Sequence, residues 1–127
     1  MSEIRVVLVD DEPLLRHGLR MILEGAPGIS VIGEAGNGKE GIELILAEEP
    51  DVVLMDLMMP EMDGVEATRR VKQVSPRSHI IVLTSYHSDE HIFPAIRAGA
   101  LSYLLKDVHP DVLVDAIRKA ARGETML

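Results

Sequence analysis

The stretch "VVLMDLMMP", residues 52–60, is apolar except for Asp56. Burying a lone carboxylate is unfavourable unless it is paired, hydrogen-bonded or bound to a cation. Val52 to Met55 is continuously apolar, as expected of a strand buried on both faces, and "PEMDG", residues 60–64, is a turn. The segment therefore reads as a core strand that delivers one acid to its carboxyl end. The fold depends on what flanks it.

Working outward, short apolar runs alternate with longer amphipathic ones. "IRVVLV" (Ile4 to Val9) is a first strand and "PLLRHGLRMILEG" a helix, with Pro13 suited to its first turn and Gly25 to its end. Leu15, Leu19 and Ile22 mark the inner face of that helix. "ISVIGEA" is a second strand, and "GKEGIELILAEE", behind Asn37, a second helix. Val65 to Val74 is a third helix, "HIIVLTS" a fourth strand, Asp89 to Ala98 a fourth helix and "LSYLLK" a fifth strand. "PDVLVDAIRKAARG" closes as a fifth helix. Five strand-then-helix repeats predict an α/β fold, a parallel sheet covered on both faces.

The bulk properties bound the function. At 127 residues the chain is read as one domain with a real core. A net charge of -8 argues against a nucleic-acid surface, because phosphates need a basic footprint. The absence of cysteine excludes disulfides and thiolate metal sites. The opening "MSEIRVVLVDDEP" is neither a signal peptide nor a membrane span, so the cytoplasm is the expected location.

In open parallel α/β sheets, ligands bind beyond the carboxyl ends of the strands. Asp10 and Asp11 fall just past the first strand, Asp56 ends the third, Thr84 and Ser85 the fourth, and Lys106 the fifth. Three close carboxylates repel, so one takes a proton or a cation joins them. Mg²⁺ suits one or two carboxylates completed by water and phosphate oxygens. A carboxylate beside Mg²⁺ can attack phosphorus and become an acyl phosphate. The Lys106 ammonium and the Thr84 hydroxyl are then partners for the phosphoryl oxygens. On this reading Asp56 exists to be phosphorylated.

"VDDE", "VVLMDLMMPEMDG", "VLTS" and "GALSYLLKD" occur in the order and spacing of the receiver domain of bacterial two-component response regulators, and the chain resembles that family over essentially its whole length. The resemblance implies a doubly wound, five-stranded flavodoxin-like sheet of order 2-1-3-4-5. It implies that Asp56 is the phosphoacceptor, and that Asp11 and Asp56 ligate Mg²⁺ with the backbone carbonyl of Met58, Asp10 helping through water. Thr84 and Lys106 would hold the phosphoryl group, and Tyr103 matches the family's switch aromatic. The donor would be a phosphohistidine on a sensor kinase. "RAGALSYLLKD" resembles the subgroup with a LuxR-type helix-turn-helix output, so residues 1–127 are read as the receiver and the DNA-binding domain as absent from this chain. Unlike many receivers, the chain has Asp107 rather than proline after Lys106.

Other readings compete. A receiver that keeps its pocket but acts as an unphosphorylated scaffold is one. "GNGKEG", residues 36–41, fits the dinucleotide fingerprint G-x-G-x-x-G, with Asp56 at a suitable distance; Glu34 and Ala35 separate the strand from the first glycine, which spoils the tight turn. The plainer reading is Asn37 capping the helix, with Glu40 completing a capping box. A phosphoaspartate phosphatase would carry a second Asp where Met58 stands. His87 and His91 are spaced like a helical zinc pair without a third ligand, and the methionines of "LMMPEM" read as core.

Three finer expectations follow. Pro94 should make the fourth helix start late, near Phe93, or kink it. Leu113, Ala116, Ile117 and Ala120 should face the sheet, leaving Val112 and Val114 off that face and suggesting a homodimer through the first and fifth helices. By the resemblance, Met58 and Tyr86 flank the path of the water that hydrolyses the acyl phosphate, and both should shield it and lengthen its lifetime.

Overall fold

The computed structural model describes residues 3–85 and 89–125. The elements run β1 (Ile4–Val9), α1 (Pro13–Glu24), β2 (Ile29–Ala35), α2 (Gly38–Glu48), β3 (Val52–Asp56), α3 (Gly64–Val74), β4 (His79–Thr84), α4 (Asp89–Arg97), β5 (Ser102–Leu105) and α5 (Pro110–Ala121). The five strands are all parallel, in the order β2-β1-β3-β4-β5. This is the doubly wound sheet that the strand–helix alternation and the family resemblance imply.

Side-chain alternation along the strands builds two cores from the same residues' neighbours. Val6, Leu8, Leu54, Ile81 and Leu83 face α1 and α5, meeting Leu19, Leu23, Leu113 and Ile117. Val7, Val9, Val53, Met55, Ile80 and Val82 face the other layer, meeting Ile45 of α2, Ala67 and Val71 of α3 and Ala95 of α4. Two-sided burial is why β3 shows no polar alternation before Asp56. Proline occupies the first turn of α1 and α5, as expected. The Asn37 side chain caps α2 by accepting from the Glu40 N–H at 2.9 Å. Asp63 does the same for α3 with the Glu66 N–H at 2.9 Å.

Some expectations need correction. The helix containing Pro94 begins at Asp89, not near Phe93. Proline forfeits one backbone bond at about 3 kcal/mol, and the buried Ile92 and Ala95 supply apolar contacts on both sides of it that hold the segment helical. Val114 is not off the buried face of α5; it is partly buried against the α1–α5 core, whereas Val112 is exposed. On α1, Leu23 is fully buried beside Leu19, while Leu15 and Ile22 are only partly so. β2 runs through Ala35, so the spacing objection to "GNGKEG" does not hold. Its glycines instead serve packing: a Cβ on Gly41 would come within 2.9 Å of Val9, and one on Gly38 within 3.1 Å of Met62. Tyr86 and His87 lie outside the described residues.

Candidate functional site

The carboxyl edge of the sheet is assembled by backbone hydrogen bonds that outlast the strands. The Asp10 N–H donates to the Ala35 carbonyl at 3.0 Å, carrying β1 one residue further. The Asp10 side chain turns back and accepts from the Glu12 N–H at 2.8 Å, which shapes the loop into α1. Asp56 ends β3 opposite Leu83 of β4. Beyond it, the Gly64 N–H donates to the Leu57 carbonyl at 2.8 Å, folding "PEMDG" back over the strand end. A Cβ on Gly64 would stand 2.3 Å from the Asp56 carbonyl oxygen, so only glycine fits there. The Lys106 N–H donates to the Thr84 carbonyl at 2.9 Å, fixing the lysine beside the end of β4.

These constraints bring the side chains together. Lys106 Nζ lies 3.0 Å from Asp56 Oδ1, 3.1 Å from Glu12 Oε1 and 3.4 Å from Asp10 Oδ2. Asp10, Asp11, Glu12 and Asp56 can each offer an oxygen such that all lie within 4.8 Å of one another. Asp10 and Asp56 are each 2% exposed, whereas Asp11 and Glu12 are exposed. The Asp56 Oδ2 and Asp10 Oδ2 atoms are buried without a hydrogen-bond partner.

The electrostatics follow from that geometry. Burial pushes Asp56 up to about 6, opposed by the hydrogen bond from Lys106 and reinforced by the nearby Asp10 charge. Burial also raises Asp10, against its bond from the Glu12 N–H and the attraction of Lys106. Burial lowers the Lys106 pKa, but its hydrogen bonds to Asp56 and Glu12 and the charges of Asp56 and Asp10 outweigh this and raise it, so the ammonium stays charged. The Lys106 charge thus meets three acids at once.

The donor set fits Mg²⁺. It is all oxygen, its atoms can gather within 4.8 Å of one another, and the buried Asp56 Oδ2 has no hydrogen-bond partner. A divalent cation would relieve both the unpartnered Asp56 oxygen and the mutual repulsion. Of the other sequence-derived residues, Thr84 is 1% exposed at the end of β4, next to the residue paired with Asp56. Met58 is exposed at the lip, and its N–H reaches Asp56 Oδ1 at 3.4 Å. Tyr103 sits on the solvent side of β5, paired in register with Val82. The described residues contain no cis peptide bond, so Lys106 joins Asp107 in trans.

Two residues at this edge escaped the sequence reading. Glu12, the third acid of "VDDE", engages Lys106; three acids in a row were the available signal. Arg16 donates from Nη1 to the Asp10 carbonyl, and nothing in its helical position announces this. No helix among the described residues is long and apolar enough to cross a membrane.

Known proteins share both sequence and shape with this chain. The transcriptional regulatory protein LiaR of Bacillus subtilis is 50% identical over 124 residues, covering 98% of this chain and 59% of that protein. The nitrate/nitrite response regulator protein NarL of Escherichia coli K12 is 41% identical over 122 residues, covering 96% and 56% respectively. The chain therefore spans a little over half the length of these curated relatives. The crystal structure of a LuxR-family two-component response regulator from Aurantimonas sp. SI85-9A1 superposes with a TM-score of 0.92 at 36% identity, covering 98% of this chain and 89% of that one. The response regulator receiver domain family matches residues 6–118, and with the acid edge, the strand order and these relatives in agreement, the chain belongs to that family.

Proposed function

We propose that this domain is a phosphorylation-controlled switch in which Asp56 accepts a phosphoryl group from a sensor histidine kinase. The observation that carries the reading is the buried Asp56 carboxylate, with one oxygen on Lys106 and the other without a hydrogen-bond partner. Asp11 and Asp56 would hold Mg²⁺, with the Met58 carbonyl and with Asp10 through water; when bound, the ion neutralises charge on the transferring phosphoryl oxygens. An Asp56 oxygen attacks phosphorus, the bond to the donor breaks, and the donor leaves with its electron pair. Lys106 then exchanges a carboxylate oxygen for a phosphoryl oxygen, and the Thr84 hydroxyl takes another. Tyr103, three residues before Lys106, reports the change to the exposed surface. Met58 and Tyr86 limit the access of water to the acyl phosphate.

In a longer protein of the kind these relatives represent, the output is a C-terminal DNA-binding domain and the effect is on transcription. Pairing of two receivers through α1 and α5 is the assembly that goes with it. Leu14, 84% exposed, and Met21 stand out from α1, and an apolar groove of about 410 Å³ runs between Leu15, Leu19 and Ile22 and the α5 side at Val108 and Leu113.

The deciding experiment is incubation with Mg²⁺ and acetyl phosphate followed by intact-mass measurement. Wild type should gain one phosphoryl group and Asp56→Asn none; equal labelling of both removes the assignment. An unlabelled but folded wild type would favour the scaffold reading. Hydrolysis of the labelled protein should quicken in Met58→Asn and Tyr86→Glu, and sedimentation should show a phosphorylation-dependent dimer.

A further inference from the structure

We propose that Arg16 is a positioning residue for the acid edge, and that Glu34 of β2 holds Arg16 in place. The inference rests on the Mg²⁺-dependent reading above.

Past the end of β1 the Asp10 N–H still has a strand partner, the Ala35 carbonyl at 3.0 Å. The Asp10 carbonyl belongs to the loop that follows the end of β1 at Val9. A backbone carbonyl at a buried residue must be paired. Arg16, one turn into α1, supplies the donor: its Nη1 lies 2.5 Å from the Asp10 oxygen. With the Glu12 N–H on Asp10 Oδ1, the amide, the carbonyl and the carboxylate of Asp10 are each tethered. The peptide leading into Asp11 is thereby fixed, and with it the direction from which the exposed Asp11 side chain reaches the cluster.

Arg16 is itself aimed. Its Nε donates to Glu34 Oε1 at 3.1 Å, and its side chain is only 19% exposed. Glu34 Oε2 is taken by Arg20 at 2.5 Å, and Arg20 also holds the Val31 carbonyl and Glu24. A planar guanidinium can bind a carbonyl and a carboxylate at a set angle, which an ammonium cannot. An exposed salt bridge by itself is worth little. What distinguishes Arg16 from Arg20 in the same network is its contact with the acid loop. Arg16 therefore acts on metal binding through Asp10 and Asp11 without touching the ion.

The test compares Arg16→Gln with Arg20→Gln, a control in the same network that does not touch Asp10. Mg²⁺ affinity is read by calorimetry, and labelling by acetyl phosphate is read as a function of Mg²⁺ concentration. Residues that orient metal ligands from behind typically change affinity by about 10–100-fold. Arg16→Gln should raise the Mg²⁺ concentration for half-maximal labelling roughly tenfold, and labelling at saturating Mg²⁺ should approach wild type. Arg20→Gln should leave both unchanged, and Arg16→Lys, able to reach the carbonyl alone, should recover part of the loss. If Arg16→Gln fails to fold, NMR of wild type decides: Mg²⁺ should shift the Arg16 Nε–H signal and leave that of Arg20 in place. Equal Mg²⁺ dependence in the two Gln variants, or an unmoved Arg16 signal, overturns the inference while Asp56 phosphorylation stands. A wild type that neither binds Mg²⁺ nor takes a phosphoryl group sinks both.

Discussion

Strand β3 has an aspartate at each end, and the two live in opposite conditions. Asp51, at the entrance, accepts the Arg5 N–H at 2.8 Å on one oxygen and Arg77 at 3.1 Å on the other. Around it, Ser78 Oγ bonds the Pro50 carbonyl at 2.6 Å and Ser75 Oγ at 2.8 Å, and Arg5 and Arg77 both reach the Glu49 carbonyl. Asp56, at the exit, is more deeply buried, shares one lysine with two other acids and leaves an oxygen without a hydrogen-bond partner. Buried polar groups are ordinarily satisfied. The entrance is a clamp that has all it needs; the exit is a site that gains when something binds. The same residue type five positions apart is structural at one end and chemical at the other, because partners, not identity, set its role.

The comparison can be broken most forcefully at Gly64. An added methyl there meets the Asp56 backbone, which cannot give way as a side-chain tip can. Gly64→Ala should cost about 3 kcal/mol in urea unfolding, the upper end of ordinary overpacking, and should slow labelling of whatever stays folded. A variant with wild-type stability would mean that the loop closes over Asp56 less tightly than the geometry requires.

Next, Asp51→Ala should remove the clamp and leave the chemistry. It strands the Arg5 N–H, a loss of about 2 kcal/mol. Below the unfolding transition its labelling rate with acetyl phosphate should match wild type. A stable variant with impaired labelling would reverse the assignment of the two ends.

Asp56→Asn should do the opposite, stabilising the metal-free protein at neutral pH. In the fold burial pushes Asp56 up to about 6, against 3.8 for a solvated aspartate. Below the lower value both states carry the proton, so nothing is lost. Between the two the fold keeps a proton the unfolded chain has released, and stability falls as pH rises. Above about 6 the penalty is complete. Because asparagine still buries a polar group and gives up the attraction of Lys106, the gain should be about 1–2 kcal/mol at pH 7.5. It should vanish near pH 4, and Mg²⁺ should narrow it by stabilising wild type. Unfolding curves of both proteins across this range measure it; a gap independent of pH would show that Asp56 is not the strained group.

The smallest effect sharpens the comparison from the satisfied end. Glu49 caps α2 in the left-handed region, with φ of 45°. That conformation disfavours any side chain, whereas the carbonyl that Arg5 and Arg77 hold belongs to the backbone and survives substitution. Glu49→Gly should raise stability by about 0.5 kcal/mol after its own cost in unfolded-state entropy. A loss would mean that the Glu49 side chain contributes more than its backbone.

The amino-acid sequence by itself determined the alternation of elements, the two-sided burial of β1, β3 and β4, and the set of strand ends at which Asp10, Asp11, Asp56, Thr84 and Lys106 emerge. These are local properties: hydrophobic runs, caps and turn residues declare where a strand stops, and whatever follows it lies at that edge. Strand order came from likeness to a family rather than from periodicity, which carries no information about neighbours. Only the tertiary structure decided that Asp10 rather than Asp11 is buried, since adjacent residues in a loop are separated by the direction of one peptide, not by a pattern. The same holds for Glu12 on Lys106 and Arg16 on the Asp10 carbonyl, where a long side chain chooses among acceptors brought near by other segments. Pro94 makes the point from the other side. Its local preference argued for a late helix start or a kink; the helix starts early, at Asp89, because buried apolar surface at Ile92 and Ala95 offsets the single hydrogen bond that proline withholds.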